Sequence, residues 1–477
     1  MKTYTIIKPK NLHLENRVNR FKPDFNFNFE KAYLLIYLVI LFSNKKSNTK
    51  KVELYSKTLE KLFGKDYHKY INYLSENFGG VGNILNRYPY SENHSFSYIL
   101  RDYFYENGFE IVTITDYKLI NKFKELFIKQ RTNENIRLHY HFLLKHFKRE
   151  KLTVHNPQNA IDSIPFSERE KYIKNAFEIL KIMNHEFSLT LKTKTDGRVH
   201  TNISRFKKES RNFLRYENEN LVEIDVKSAV PYFLYIIMKM YQNQQLSYLN
   251  KFQYSNSPII YMFDEITTTI DNAELEDFGR AILSGQLYEK FSNEIFNNSI
   301  YENTSLPFDK VIKYHQMHFF KTYGYSFDGC MEDLKRYAKR RLLSMLFAPS
   351  YKYRFEQELF KTFYPSVLKF INEFKNLTHH SRLDGLKWEK KTAHKKLAHF
   401  CFQFETKIMI DTIAREFDKK HKGKVPIYSL HDCLITTKSY ANDLLDFMNT
   451  KFIELFGVAP GLSCKELKNE DDFKIAG

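Results

Sequence analysis

The chain has 477 residues, 43% of them hydrophobic, which is enough to bury more than one core and too many for a disordered polymer. Lys and Arg outnumber Asp and Glu by 74 to 56, and a formal charge of +18 favours a polyanionic partner, of which nucleic acid is the commonest. Four cysteines, Cys330, Cys401, Cys433 and Cys464, are too scattered for a Cys-x-x-Cys metal site and too few for a disulfide scaffold, and fit reduced thiols in a cytoplasmic protein.

Residues 1 to about 190 read as mainly helical. The apolar run AYLLIYLVILF at 32–42 is too short to span a bilayer, and the polar and charged residues ahead of it exclude a signal peptide, so it is expected as a buried helix with no membrane partner. The cluster FGGVG at 78–82 lacks the Lys and Ser/Thr of a phosphate-binding loop and reads as a turn; a strand is expected at 109–115. Nothing in this half announces a chemistry. Across the whole chain the many aromatic residues, 43 Phe and 33 Tyr, suit a core, and some suit stacking on unpaired bases.

The character changes at 195–241. A basic stretch containing Arg198, Arg205, Lys207, Lys208, Arg211 and Arg215 leads into LVEIDV, whose alternation predicts a strand with Val222, Ile224 and Val226 on a buried face and Glu223 and Asp225 on an unburied one. Pro231 then opens an apolar helix at a first-turn position that proline tolerates. A further helix is predicted over 332–347, stopped by Ala348-Pro349, with Lys335, Lys339, Leu343 and Phe347 recurring every four residues as one stripe. The helical segment KKLAHFCFQFETKIMIDTI follows from Lys395. Finally, PIYSLHDCLIT predicts two short strands joined by a tight bend at His431-Asp432, with an amphipathic helix from about Ser439.

An Asp in a turn commonly caps backbone amides, but a partner carboxylate changes its meaning. Asp225 is such a partner. Two carboxylates on neighbouring strands can hold two Mg²⁺ ions, which activate an attacking hydroxyl and neutralise a leaving pyrophosphate, while lysines on a helix bind a triphosphate as point charges. Those are the parts that nucleotidyl transfer needs.

In this order the segments resemble the single-subunit polymerases that unite family-A DNA polymerases with phage-type and mitochondrial-type RNA polymerases. The resemblance covers residues 195–477 as ordered motifs. DGRVHT, with Arg198, looks like the segment that contacts primer and template; EIDVKSAVPYF looks like motif A, with Asp225 at the metal-binding position. KRYAKRRLLSMLFAPS is similar to the pattern R-x3-K-x7-Y-G, with Lys335, Lys339, Phe347 and Ala348 at its four fixed positions. HKKLAHFCFQFE looks like the helix that carries a glutamine near the template minor groove, here Gln403, with Lys395 and His399 as further nucleic-acid contacts. SLHDCLIT fits motif C, with Asp432 as second metal ligand and His431 beside the primer terminus.

The resemblance implies an α+β right hand: a mainly helical N-terminal region over 1–190, thumb-like or accessory, an antiparallel-sheet palm over 195–265 and 396–477, and helical fingers over 266–395. It implies catalysis by Asp225, Asp432 and Lys339, and nucleotide binding by Lys335, Lys339, Leu343, Phe347 and Val230. The implied cofactor is a pair of Mg²⁺ ions, with Mn²⁺ as a substitute, and the implied partners are a primer-template and nucleoside triphosphates. Lys335, Phe347 and Ala348 depart from the pattern, as does His399, where the DNA enzymes favour Asn. Val230 stands at the sugar-selecting position, where DNA enzymes carry Glu and RNA enzymes Gly, and Cys433 approaches the Ser of the RNA enzymes more than the Glu of the DNA enzymes.

The reading that follows is a template-directed nucleotidyltransferase, favoured as a family-A-like DNA polymerase without a proofreading domain, from a phage, plasmid or other mobile element. A single-subunit RNA polymerase or primase-like enzyme, a two-metal nuclease and a catalytically silent replication protein that only binds nucleic acid are the alternatives.

Overall fold

In the computed structural model, which describes residues 3–43, 51–89, 95–128, 134–191, 197–245, 258–296, 307–381 and 387–468, the chain divides into two units. The first comprises residues 1–190, 200–221 and 466–477, the second residues 191–199 and 222–465. The beginning of the basic stretch expected from 195, Asp196 included, lies outside the described residues.

The first unit holds more strand than its sequence announces. Tyr4–Pro9 pairs antiparallel with Phe109–Ile114, in a register running from Tyr4 opposite Ile114 to Pro9 opposite Phe109. Ser97–Leu100 lies between Val52–Glu53 and Leu85–Tyr88 in a separate three-stranded sheet. The apolar run forms the expected helix, Phe29–Ser43, buried at every position from Ala32 to Ile40. Burying each large apolar side chain there stabilises the unit by about 1.5–3 kcal/mol, which explains why so polar a chain invests in one fully apolar segment. Leu152–Val154 pairs with Leu214–Tyr216, which turns through Glu217 and Asn218 into the strand Glu219–Val226. Both turn residues have positive φ, the conformation that two-residue hairpins of matching twist require.

In the second unit the end of Glu219–Val226 lies against the hairpin Tyr428–Leu430/Cys433–Thr437 and the strand Leu462–Glu466. Helices surround these strands, giving a mixed α+β fold with an antiparallel sheet. One correction to the alternation concerns Glu223: it is 8% exposed, so the strand is covered on its acidic face as well. Ala229–Gln242 follows with Pro231 in its first turn, and packs on Asn272–Leu283 and Lys395–Thr406. Lys395–Thr406 continues through a π-helical stretch, Lys407–Ala414, where the Arg415 amide reaches back to the Ile410 carbonyl.

The helix Met331–Phe347 divides its faces as the stripe predicts. Leu334, Tyr337, Ala338, Arg341, Leu342, Met345 and Leu346 are buried, while Lys339 is exposed and Lys335, Leu343 and Phe347 are half-buried. Arg341 fixes the buried face: its guanidinium donates to Glu356 at 2.6 Å and to the Tyr314 hydroxyl. Burial, with Arg341 alongside, drives the adjacent His315 down to about 3, so this imidazole stays neutral and leaves the ion pair undisturbed. Removing one partner of such a buried pair typically costs about 3–5 kcal/mol, which makes the orientation of the lysine face expensive to change. Among the described residues no helix is long and apolar enough to cross a membrane.

Candidate active site

The site begins with two strand ends. The Val226 amide donates to the Asp432 carbonyl at 3.2 Å, so the residue after Asp225 is bonded to Asp432 itself. The Lys227 amide donates to the Gly461 carbonyl at 2.8 Å, and the Ser463 hydroxyl reaches the Asp225 carbonyl at 3.5 Å. Neighbouring backbone therefore fixes Asp225 and Asp432 at adjoining positions.

Two non-glycine residues flanking them adopt left-handed backbone. Ser228 has φ +53 between the Asp225 strand and the following helix, and His431 has φ +59 as first residue of the two-residue turn closed by Leu430 and Cys433. Such conformations cost roughly 1–3 kcal/mol each and persist where the surroundings over-determine them. Here both sit beside a carboxylate.

Cations converge on Asp432. Burial pushes its carboxyl above the ordinary value, while its own backbone amide, Arg198 and Lys339 pull it back. The Lys339 ammonium stands 5.3 Å from the centre of the Tyr288 ring. Tyr288, on the short helix Leu287–Glu294, hydrogen-bonds Ser228 through its hydroxyl; burial raises the phenol to about 12, the Ser228 bond opposes the rise, and the charge of Asp432 adds to it. Tyr288 thus joins Lys339, Ser228 and Asp432, and no periodicity or motif in the sequence marks it.

Arg198 is held from behind. Its Nε and Nη2 donate to Glu405 Oε1 and Oε2 at 3.0 and 2.9 Å, and its guanidinium lies 3.9 Å from the Phe402 ring centre. Phe402 meets Phe347 edge-on at 5.5 Å, which links the arginine to the far end of the lysine helix. Gly197 lies against Gln403: with φ +64, and with only 2.7 Å between an added Cβ and Gln403 Cγ, this position accepts no other residue without displacement. Glu405, buried and paired with Arg198, is a second residue that sequence reasoning missed.

Lys335 pairs with the Glu289 carboxylate at 3.0 Å. Val230 is half-buried at the start of its helix. Lys395 is exposed, His399 half-buried and Gln403 buried, spaced one turn apart along one helix.

The carboxylates offer hard oxygen donors, and Mg²⁺ is commonly held by one or two carboxylates completed by substrate phosphates and water. Among the described residues no group of three or more His, Cys, Asp or Glu side chains assembles, so a closed all-protein cage is not what these residues build. A pair of aspartates fits Mg²⁺ on those terms and does not fit zinc, which prefers nitrogen and sulfur donors.

No protein-family model matches the chain, and no curated protein does. Among solved structures the chain is similar to the POL domain of Pol1 from M. smegmatis, in complex with DNA primer-template and dNTP. The identity is 10% and the TM-score 0.36, over 65% of this chain. The chain spans about half of that structure's length, 54%.

Proposed function

We propose that the unit built on residues 222–465 carries out template-directed nucleotidyl transfer. The observation that supports this most is the backbone bond between Val226 and Asp432, which ties the strand end after Asp225 to the Asp432 turn while Arg198 and Lys339 act on Asp432. In the reaction the primer 3′-hydroxyl loses its proton and its oxygen bonds the α-phosphorus, while the bond from that phosphorus to pyrophosphate breaks. Mg²⁺ held by Asp225 and Asp432 would supply activation of the hydroxyl and charge neutralisation at the leaving group.

The chain's own residues then take separate parts. Lys339, exposed on its helix, binds the triphosphate as a point charge, with Lys335 one turn earlier in support. Leu343 and Phe347 continue the stripe along the base and sugar. Arg198, braced by Glu405, and the helix bearing Lys395, His399 and Gln403 meet the primer-template, with His431 at the primer end. Val230 has moderate bulk and no hydrogen-bonding group, and Phe347 has no hydroxyl, so ribose is excluded by bulk alone and deoxynucleotides are modestly preferred.

Incubating the purified chain with Mg²⁺, a primed DNA template and labelled nucleotides tests the proposal. Primer extension is the expected outcome. Cleavage without extension would make the protein a nuclease, and retention of the template without either would make it a silent binding protein. RNA templates run in parallel settle the template class.

A further inference from the structure

The first unit contains a partly open cavity of about 990 Å³, within the upper range of ligand pockets. Its walls are aromatic: Phe123, Phe147 and Phe177 are buried there, with Phe127 and Phe187 half-buried beside them. The rings brace one another, as Phe123 with Phe127 at 5.3 Å and Phe147 with Phe187 at 5.4 Å, so the walls are pre-formed. Six cationic side chains line the cavity, Lys124, Lys181, Arg205 and Lys207 among them, against two carboxylic ones, Glu178 and Glu186.

The polar groups narrow the choice of occupant. Glu186 accepts the Tyr4 hydroxyl at 2.5 Å, and Glu178 takes Lys181 on one oxygen. The other oxygen of Glu178, Oε2, is buried without a hydrogen-bond partner among the described residues, and so is Nδ1 of His185. His185 has φ +57, a left-handed backbone that few non-glycine residues adopt. Burial, with Arg149 and Lys124 nearby, takes its imidazole down to about 4, so the ring is neutral at physiological pH. An apolar anion such as a fatty acid would suit the rings and the lysines but offers no donor to a buried carboxylate oxygen. A nucleobase offers donors and acceptors on one edge and a flat face for stacking, and its phosphate answers the surrounding cations.

We infer that this cavity binds an unpaired nucleotide of a single-stranded nucleic acid, with the base among the Phe rings and the phosphate against the Lys and Arg side chains. The site is separate from Asp225 and Asp432, and the inference holds whether or not the second unit transfers nucleotides. It gives the N-terminal half of the chain a role: capture of a strand outside a duplex.

The test is photo-crosslinking of the full chain to a single-stranded oligonucleotide containing 5-iodo-deoxyuridine, with the adducts mapped by mass spectrometry. Adducts are expected on peptides containing Phe123, Phe127, Phe147 or Phe187. Excess nucleoside monophosphate should compete, and inorganic phosphate and oleate should not. Replacing both Lys124 and Lys207 by Glu should weaken single-strand binding at fixed salt at least tenfold. The Asp225→Asn/Asp432→Asn double variant should crosslink as the native chain does. Adducts confined to other peptides, or oleate competing as well as the mononucleotide, would overturn the inference; the mapping on the native chain decides even where a substitution impairs folding.

Discussion

Each unit contains a carboxylic acid that burial raises above its ordinary pKa, and the two are held in opposite ways. Asp432 stands on a strained two-residue turn with Arg198 and Lys339 acting on it, cations that arrive from a separate segment and from a helix. Glu186 lies in an aromatic cavity, where its nearest partner is the phenol of Tyr4, with Lys181 and Lys124 acting more weakly. The first arrangement keeps a charge available beside other charges, as a site for phosphates and hard cations must. The second sets an acid whose ionisation burial disfavours among rings, as a site for a flat organic group can. Under the two proposed roles the chain's excess of positive charge has two distinct uses, and substitution can separate them.

The largest effect is expected at the strand ends. Asp225→Asn or Asp432→Asn should abolish primer extension, by at least about a thousandfold, because neither amide can replace a metal-holding carboxylate, while single-strand capture by the first unit is unchanged. A fall in both measurements would mean the two regions act as one. Lys339→Ala should come next. Losing a charge-assisted contact to phosphate costs about 1.5–3 kcal/mol, so catalytic efficiency should drop at least about tenfold. Steady-state kinetics at varied nucleotide concentration would show it, and unchanged efficiency would reduce the lysine stripe to a solvated face.

How much of this was legible beforehand follows the range of the interactions. The helix Met331–Phe347, its stripe and the turn at His431-Asp432 declare themselves within a few residues, because period and turn chemistry are local. The two carboxylates could be paired only because their flanking patterns both read as strand. Arg198 and Glu405 are 207 positions apart, and nothing local to either names the other. Tyr4–Pro9 was missed for a similar reason: a six-residue strand whose partner lies a hundred positions on has no long periodicity to show. Glu223 misled because alternation places a residue on a face but not that face in water. Neither Tyr288 nor the cavity around Glu186 has a motif, since each is made of common residues that only packing brings together.

A smaller effect is expected at the sugar. Val230→Gly removes the bulk that stands at the start of its helix and should relax the preference for deoxynucleotides by a few fold towards ribonucleotides. Tyr288→Phe, which deletes the bond to Ser228 but keeps the ring beside Lys339, should leave that preference intact and lower turnover only slightly. Parallel extension reactions with each sugar measure both. Strict use of ribonucleotides by the native chain would overturn the DNA-synthesis reading, and strict exclusion after Val230→Gly would place the gate elsewhere.

The smallest effect tests the cavity side of the comparison directly. Glu186→Gln keeps an acceptor for the Tyr4 hydroxyl and removes only the ability to ionise. Burial is the main reason the native carboxyl is raised above its ordinary 4.5, with Glu178 adding to the rise and Tyr4, Lys181 and Lys124 opposing it. A carboxyl raised by folding contributes fully below its unfolded value and loses that contribution as pH climbs through its folded value. The Gln variant should therefore melt above the native chain at pH 7, within the roughly 2–4 °C that 1 kcal/mol is worth in a unit of this size, and the gap should close as pH falls towards 4.5. Thermal melts of both proteins across that range decide it. A native chain that melts higher at pH 7 would show the carboxylate ionised and held by Lys181 and Lys124, making the cavity a second charge site of the Asp432 kind and leaving no ground for a flat, uncharged group among its rings.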